Sequence, residues 1–343
     1  MSKKRLSILI PTYNRESNLR LLLETLSREL AGIENLVGIV VSNNGSTDGT
    51  HEVIMEFSRR LPNIRVIRHK NNVGMDRNFC GCVEADDSEY FWLIGDDDLP
   101  RSGAIRYLLD LLAKESPDLV YMESDWRFKL EHNSLSGPMP KVAAIELSKL
   151  AFARRVNVWT TFISGMIIKR STFVEKASRQ DLRKYSQTNL VQLSWILPTL
   201  ERAKKLLYIP ESCVFATAGN TGGYAVLKVF GEYFPSIVKQ QFGVNSSIGR
   251  AMILRNALGY LPVLAWQIRV GQAGNFTKEQ TSVVIACPEL SGRLEYYVIL
   301  IVTNWPMPFA LCVRLLCSTL ARLLRIFNGL LDSVRLFGIS RER

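Results

Sequence analysis

Three adjacent carboxylates, Asp96, Asp97 and Asp98, follow the apolar run 90–94 after a single glycine. Carboxylates this close repel one another, and at least one keeps its proton unless a cation offsets the charge. A hard divalent ion meets that need, and Mn2+ or Mg2+ ordinarily shares such a site with substrate phosphates. A solvated acidic turn leading into a helix over 102–112 meets it equally well, and the triplet alone does not choose. Other residues have a similar double reading. Tyr13, just past a first apolar strand, offers a ring face to a nucleobase or packs as a loop aromatic. Arg15 reaches a phosphate or stays a surface arginine. Arg77 opens a helix beside the site or forms an ion pair on its surface. Ser46, Thr47 and Asp48 suit a helix N-terminal cap, so Asp48 reads as structural. His51, His69 and His132 lie in segments without a site signature.

The elements that carry these residues alternate. Apolar strands at 6–10, 37–42, 64–68, 90–94 and 119–122 are separated by helices with apolar residues at helical spacing, such as Leu19, Leu22, Leu23, Leu26 and Leu30. Strands and helices of this length imply a mostly parallel sheet covered on both faces. Ligands then sit at the carboxyl ends of the strands. The segments 11–15, 43–48, 71–77 and 96–98 all fall at those ends, and that convergence is what favours a site. Beyond 124 the pattern loosens, with turns near 136–140, a strand over 162–169 and a helix over 190–200. Residues 216–224 read as a loop, and within it 219–223 suits a lid over phosphates or a plain connector.

The chain has 343 residues, enough for one domain with an extension or for two small domains. Its net charge of +11 points to anionic partners: phosphorylated substrates, phospholipid or nucleic acid. No nucleic-acid-binding signature accompanies the charge, so no nucleic acid partner is expected. Six cysteines without a C-x-x-C or a paired framework read as core thiols of a reducing compartment. The apolar run 6–10 is too short for a signal peptide, which points to the cytoplasm. Residues 298–313 are apolar but interrupted by Thr303, Asn304, Pro306 and Pro308, a weak spanning segment. Beyond them Arg314, Arg322 and Arg325 share one side of a leucine-rich helix, and six arginines oppose only Asp332 and Glu342 over 296–343. Such a helix lies in an anionic membrane surface or docks on a neighbouring domain with a solvated basic face.

Taken together, Ser7-Ile8-Leu9-Ile10-Pro11-Thr12-Tyr13-Asn14-Arg15, Ser42-Asn43-Asn44-Gly45-Ser46-Thr47-Asp48, Asn71-Asn72-Val73-Gly74-Met75-Asp76-Arg77-Asn78-Phe79 and Gly95-Asp96-Asp97-Asp98 resemble the glycosyltransferase family 2 pattern on a GT-A fold. The Asp76-Arg77-Asn78-Phe79 variant, with Trp92 ahead of the acidic run, looks most like O-antigen and capsule glycosyltransferases of the abequosyltransferase type. The resemblance implies an α/β GT-A domain over 1–225, with a nucleotide-binding half (1–123) and an acceptor half (124–225). A helical, membrane-associating extension would occupy 226–343. It implies that Pro11, Thr12, Tyr13, Arg15, Asn43, Asn44, Arg77 and Asp96 contact a nucleotide sugar, and that Asp97 and Asp98 hold Mn2+ or Mg2+ across its diphosphate. The cation matters because the leaving diphosphate gains charge as the sugar carbon becomes oxocarbenium-like.

Two departures stand out. Family members usually carry Asp where this chain has Asn43, and that Asp accepts the N–H of uracil. An amide also donates, so a donor other than a UDP-sugar is expected. Inverting members place an acidic base at the start of the helix that here begins at Thr188, and no carboxylate stands there. Asp181 is the nearest upstream candidate for the catalytic base. The expectation is a metal-dependent inverting glycosyltransferase that moves a sugar from a nucleotide-diphosphate donor to a saccharide acceptor. That acceptor is expected on a polyprenyl diphosphate at the cytoplasmic face of the inner membrane. The rival is a non-catalytic relative that binds nucleotide sugar or scaffolds a membrane assembly. A dehydrogenase would need G-x-G-x-x-G where Pro11-Thr12-Tyr13 stands, and a nucleotidyltransferase a Gly-rich, Arg-bearing loop after the first strand.

Overall fold

The computed structural model describes residues 4–61, 63–130, 143–174, 179–218, 224–271 and 294–339. Two compact units account for them, one built from Met1–Leu147 and Thr160–Ala218, the other from Ser148–Trp159 and Gly219–Arg343.

The first unit is organised by one mixed sheet. Its strands are β1 (Leu6–Thr12), β2 (Val37–Asn43), β3 (Ile64–Arg68), β4 (Tyr90–Leu93), β5 (Leu99–Pro100), β6 (Leu119–Arg127), β7 (Ile145–Leu147), β8 (Met166–Lys169) and β9 (Leu206–Thr217). They run in the order β3-β2-β1-β4-β8-β6-β9-β5, with β7 on β9. β3, β2, β1 and β4 are mutually parallel. The helices α1 (Glu16–Glu29), α2 (Thr50–Arg60) and α3 (Met75–Ala85) connect them, and α4 (Ala104–Glu115) follows β5. β1, β2 and β4 are buried along their whole length, as the unbroken apolar runs require. Leu19, Leu22, Leu23 and Leu26 of α1 close one side of that core together with Val53, Ile54 and Phe57 of α2.

β8 runs antiparallel between β4 and β6 and covers only the end of the expected 162–169 strand. The residues before it, Ile163–Gly165, form a 3-10 turn instead. The twelve-residue β9 has no clear sequence signature, because Pro210, Glu211 and Ser212 interrupt it like a turn. The sheet absorbs the interruption as a bulge. β9 pairs in parallel with β6, and the register slips between Met122↔Ile209 and Glu123↔Ser212, leaving Pro210 outside the ladder. Residues 216 and 217, expected in a loop, are the last two of this strand. The segment 219–223, expected as a lid or connector, and the turns near 136–140 lie outside the described residues. Short α6 (Arg170–Val174) and α7 (Arg179–Leu182) lead to α8 (Leu193–Arg202), whose first eight residues are buried.

The second unit is helical among its described residues. It contains α5 (Lys149–Val156), α9 (Val226–Lys228), α10 (Phe234–Phe242), α11 (Ser247–Arg255), α12 (Leu261–Arg269), α13 (Leu294–Asn304) and α14 (Met307–Ile339). The rings of Trp159 and Phe230 meet Tyr260 edge-on at 5.7 and 4.9 Å. Arg255 Nη1 donates to the carbonyl of Ala321 at 2.6 Å, tying α11 to α14. Pro306 separates α13 from α14, while Pro308 sits in the first turn of α14, where its missing N–H costs nothing. The apolar stretch thus resumes after the prolines, and Met307–Leu324 is long and apolar enough to cross a membrane. Ala310, Val313, Cys317, Ala321 and Leu324 turn toward the unit, whereas Phe309, Leu316, Leu320 and Leu323 of the same helix are exposed.

Candidate active site

Strand register brings the first three loops level, since Thr12 lies opposite Asn43 and Asn43 opposite Arg68. The loops are then tied to one another. The Asn44 amide donates to the Thr12 carbonyl at 2.9 Å, and the His69 amide donates to the Asn43 carbonyl at 3.0 Å. Asn44 joins the second loop to the third, accepting from the Val73 amide at 2.8 Å and donating Nδ2 to Asn72 Oδ1 at 2.9 Å. Gly45 is required between them. Its φ is +73°, and a Cβ there would lie 2.5 Å from the Asn71 carbonyl carbon. Asn43 is buried, and its Oδ1 accepts the Ser46 amide at 2.9 Å. Asp48 accepts the amides of Glu16 and Thr50 at 3.2 and 3.0 Å, so it caps the starts of α1 and α2 together.

The acidic turn meets this rim from β4. Thr12 Oγ1 donates to Asp96 Oδ2 at 2.7 Å, and Arg15 Nη1 lies 3.3 Å from Asp97 Oδ2. Asp98 faces inward: Ser164 Oγ donates to its Oδ2 at 2.5 Å and the Thr217 amide to its Oδ1 at 2.9 Å. Ser164 is itself held, its Oγ accepting the Gly95 amide at 2.9 Å and its carbonyl accepting Trp92 Nε1 at 2.9 Å. Thr217 Oγ1 adds a bond to the Asp97 carbonyl at 2.5 Å. Gly95 leaves room for this turn, because a Cβ there would stand 3.0 Å from Asp97 Oδ1 and 3.1 Å from Asp98 Oδ2.

All three carboxylates are over nine-tenths buried. Burial, then the neighbouring Asp97 charge, pushes Asp96 and Asp98 up to about 7, against the pull of their hydrogen bonds. Asp97 is raised by burial and eased by Arg15. Arg15 brings a positive charge to this turn of three carboxylates, yet all three remain raised. Among the described residues no group of three or more His, Cys, Asp or Glu is arranged to hold a metal unaided. One buried carboxylate plus a substrate diphosphate is the donor set that Mn2+ or Mg2+ accepts, so the residues fit a shared ion. Asp97 is best placed for it, since it lines a cavity of about 570 Å³ with Ser17, Arg20, Leu99, Phe128 and Thr217.

The structure therefore gathers Thr12, Arg15, Asn43, Asn44, Asp96, Asp97 and Asp98 at one rim. Tyr13 stands 40% exposed there, and Pro11 is a buried strand residue opposite Ser42. Arg77 is exposed in the first turn of α3, which the Asn44 bonds hold against the second loop. Asp181 is exposed on α7, whose next residues contact the middle and last turn of α3: Cys80 Sγ with the Leu182 carbonyl, and Arg183 with Glu84. That is the far part of the helix whose first turn meets the strand ends. Ser164 and Thr217 belong to the site although no motif marks either of them. Each acts across more than 60 residues of chain, and only an alignment of homologues could have drawn attention to them.

A sequence profile for glycosyl transferase family 2 matches residues 7–174. The abequosyltransferase RfbV of Salmonella typhimurium is 38% identical over 114 residues, which is 32% of this chain and 33% of that protein. An uncharacterized glycosyltransferase of Escherichia coli, YibD, is 24% identical over 128 residues, covering 37% and 36%. The chain thus spans about a third of the length of these relatives. Among solved structures, Staphylococcus aureus TarS 1-349 superposes with a TM-score of 0.57 at 13% identity, covering 93% of this chain and 91% of that one. The mannosyltransferase PcManGT of Pyrobaculum calidifontis, in complex with GDP-Man and Mn2+, gives 0.51 at 13%, covering 96% and 88%. Residues 7–174 thus match glycosyl transferase family 2, and the chain shares the GT-A fold of these solved structures.

Proposed function

We propose that this protein is a metal-dependent inverting glycosyltransferase. It takes a sugar from a nucleotide-diphosphate donor and delivers it to a hydroxyl of a surface polysaccharide or O-antigen intermediate. The observation that supports this most is the acidic turn, its three carboxylates raised by burial, at the rim where three loops and Arg15 converge. In this reading the base stacks on Tyr13, the ribose meets Asp96, and Arg15 and Arg77 face the diphosphate. Asp97, with Asp98 behind it, would hold Mn2+ or Mg2+, which would supply charge stabilisation for the leaving group. The acceptor oxygen forms a bond to the anomeric carbon as the bond to the diphosphate breaks, and the hydroxyl proton passes to a base. Asp181 is the sequence candidate for that base, and it would have to approach from α7 to serve. The abequosyltransferase RfbV as relative and the TarS complex with UDP-GlcNAc as structural neighbour are consistent with this donor class.

With Asn43 Oδ1 engaged by Ser46, what Asn43 offers a base is its Nδ2 donor, which suits an acceptor atom such as cytosine N3 better than uracil N3–H. Thermal shift and turnover should be measured with UDP-, CDP-, GDP- and dTDP-sugars in Mn2+ and in chelator. Stabilisation and slow nucleotide release are expected only with metal, and not chiefly with UDP. A strong UDP preference overturns the base assignment, and metal-independent binding without turnover favours a non-catalytic binding protein.

The exposed apolar side of α14, flanked by Arg322, suits the cytoplasmic face of an anionic membrane bearing a polyprenyl-linked acceptor. The full chain should co-sediment with phosphatidylglycerol vesicles more than with phosphatidylcholine ones, and Leu316→Glu with Leu320→Glu should abolish it. Equal recovery of both forms in the supernatant refutes membrane binding.

A further inference from the structure

The loop before α8 is held by a carboxylate that the reaction above does not use. Asp76, in the first turn of α3, is more than nine-tenths buried and accepts the Gln187 amide at 2.6 Å and the Asn189 amide at 3.4 Å on Oδ2. Gln187 and Asn189 both take left-handed conformations, with φ of 69° and 59°, uncommon for Gln though tolerated by Asn. Those two turns aim successive amides at one point, and Asp76 occupies it. Burial raises the Asp76 carboxyl despite the amides of Gln187, Asn189, Val191 and Thr188, so the arrangement is costly in its own right. Its second oxygen, Oδ1, is buried without a hydrogen-bond partner among the described residues.

The other end of the same loop is fixed as well. Gln192 Nε2 donates to the Thr161 carbonyl at 2.8 Å, three residues before the Ser164 that grips Asp98. Thr188 Oγ1 bonds the Tyr185 carbonyl at 2.6 Å and the Leu190 amide at 3.1 Å, which stiffens the loop between its anchors. Residues 187–192 thus form a strap running from the helix of the third loop to the support of the acidic turn. Asp76 anchors it at the first and Gln192 at the second.

We propose that Asp76 is a positioning residue for the transfer, fixing the strap 187–192 as a wall of the site between the helix of the third loop and the support of the acidic turn. This rests on the glycosyltransferase reading, which identifies the rim as the place of reaction. The carboxylate acts by accepting backbone amides, so an amide oxygen of the same shape serves in its place.

The full chain should be compared with Asp76→Ala and Asp76→Asn. Amide hydrogen exchange over 185–192 reports the strap. Binding of UDP, CDP, GDP and dTDP with Mn2+ reports the donor side, and release of nucleotide from the corresponding sugar nucleotides reports turnover. In Asp76→Ala, exchange at the strap should rise by about tenfold or more. Nucleoside diphosphate affinity and the donor KM should stay within about threefold, while kcat falls by about 10–100-fold, the loss expected from a misplaced wall. Asp76→Asn should restore both exchange protection and kcat to within about threefold of the parent, since its Oδ1 still accepts the two amides. Unchanged exchange in Asp76→Ala overturns the proposal, as does raised exchange with unchanged kcat, or a loss of nucleotide affinity equal to the loss of kcat. Protection without turnover in Asp76→Asn also overturns it, by assigning the charge a chemical role. If the parent chain binds no nucleoside diphosphate, the transferase reading fails separately, and exchange still decides whether Asp76 holds the strap.

Discussion

Asp97→Ala should lower metal-dependent nucleotide release by about 10²–10³-fold, the loss typical of removing a group that stabilises charge in the transition state. The protein should nonetheless fold as well as the parent. Asp97 is buried, its charge is disfavoured by that burial, and Arg15 at 3.3 Å is a partly exposed partner that water can satisfy. Removing the charge also relieves Asp96 and Asp98, both of which it raises. The melting temperature should therefore hold or increase while Mn2+ no longer increases it. Asp98→Ala should behave in the opposite way. It strands Ser164 Oγ and the Thr217 amide in a buried setting, a loss of about 1–3 kcal/mol for an unpaired buried group, so stability falls along with activity. Steady-state turnover with thermal melts in Mn2+ and in chelator checks both. Metal-dependent turnover at the parent rate in Asp97→Ala removes Asp97 from the chemistry.

The contrast between these two neighbours marks where the sequence stopped being informative. Residue type and position identified the acidic turn, because an apolar strand delivering three carboxylates to a strand end is a local signal. The nucleotide-binding half was legible for the same reason: β1, β2 and β4 are buried end to end, and their helices carry one apolar stripe each. Which carboxylate faces outward was not legible. Asp98 turns inward because Ser164 and Thr217, 66 and 119 residues further along, supply its donors. Asp76 reads as an unremarkable first-turn acid until the Gln187 amide, 111 residues away, is seen against it. β9 escaped notice because Pro210 and Glu211 mimic a turn, and only the register slip opposite Met122 and Glu123 shows how a strand tolerates them.

The asparagines teach the same lesson from the other side. Asn43 stands where the family resemblance implies a carboxylate, and the same resemblance implies that both it and Asn44 contact the nucleotide sugar. In the fold their oxygens are engaged by the amides of Ser46 and Val73, so both residues first build the rim. A carboxylate at position 43 could also accept the Ser46 amide, but it would add a further negative charge close to Asp96. With three carboxylates already raised by burial at this rim, a neutral amide is the less costly way to build the turn.

The same surplus of charge sets the response of the empty protein to pH. Asp96 and Asp98 titrate near 7 in the folded chain and near 3.9 when unfolded, so between those values the folded state binds more protons. Stability linked to this pair is thus greatest at low pH and declines as pH rises from about 4 to about 7, the reverse of an ordinary paired carboxylate. Because Asp97 acts on both, the three titrate as one unit and not as independent sites. The melting temperature in chelator should therefore fall from pH 5.5 to pH 8. Mn2+ competes with those protons, so its stabilising effect should grow over the same interval and offset most of the fall. Asp96→Asn should flatten the profile and raise the melting temperature at pH 8 in chelator, since the amide oxygen still accepts Thr12 Oγ1 without a charge to bury. A chelated parent whose melting temperature is level or rising across this range, with Asp96→Asn unable to change the slope, would mean that the turn is not short of positive charge. The case for a cation at the rim would then lose its physical basis.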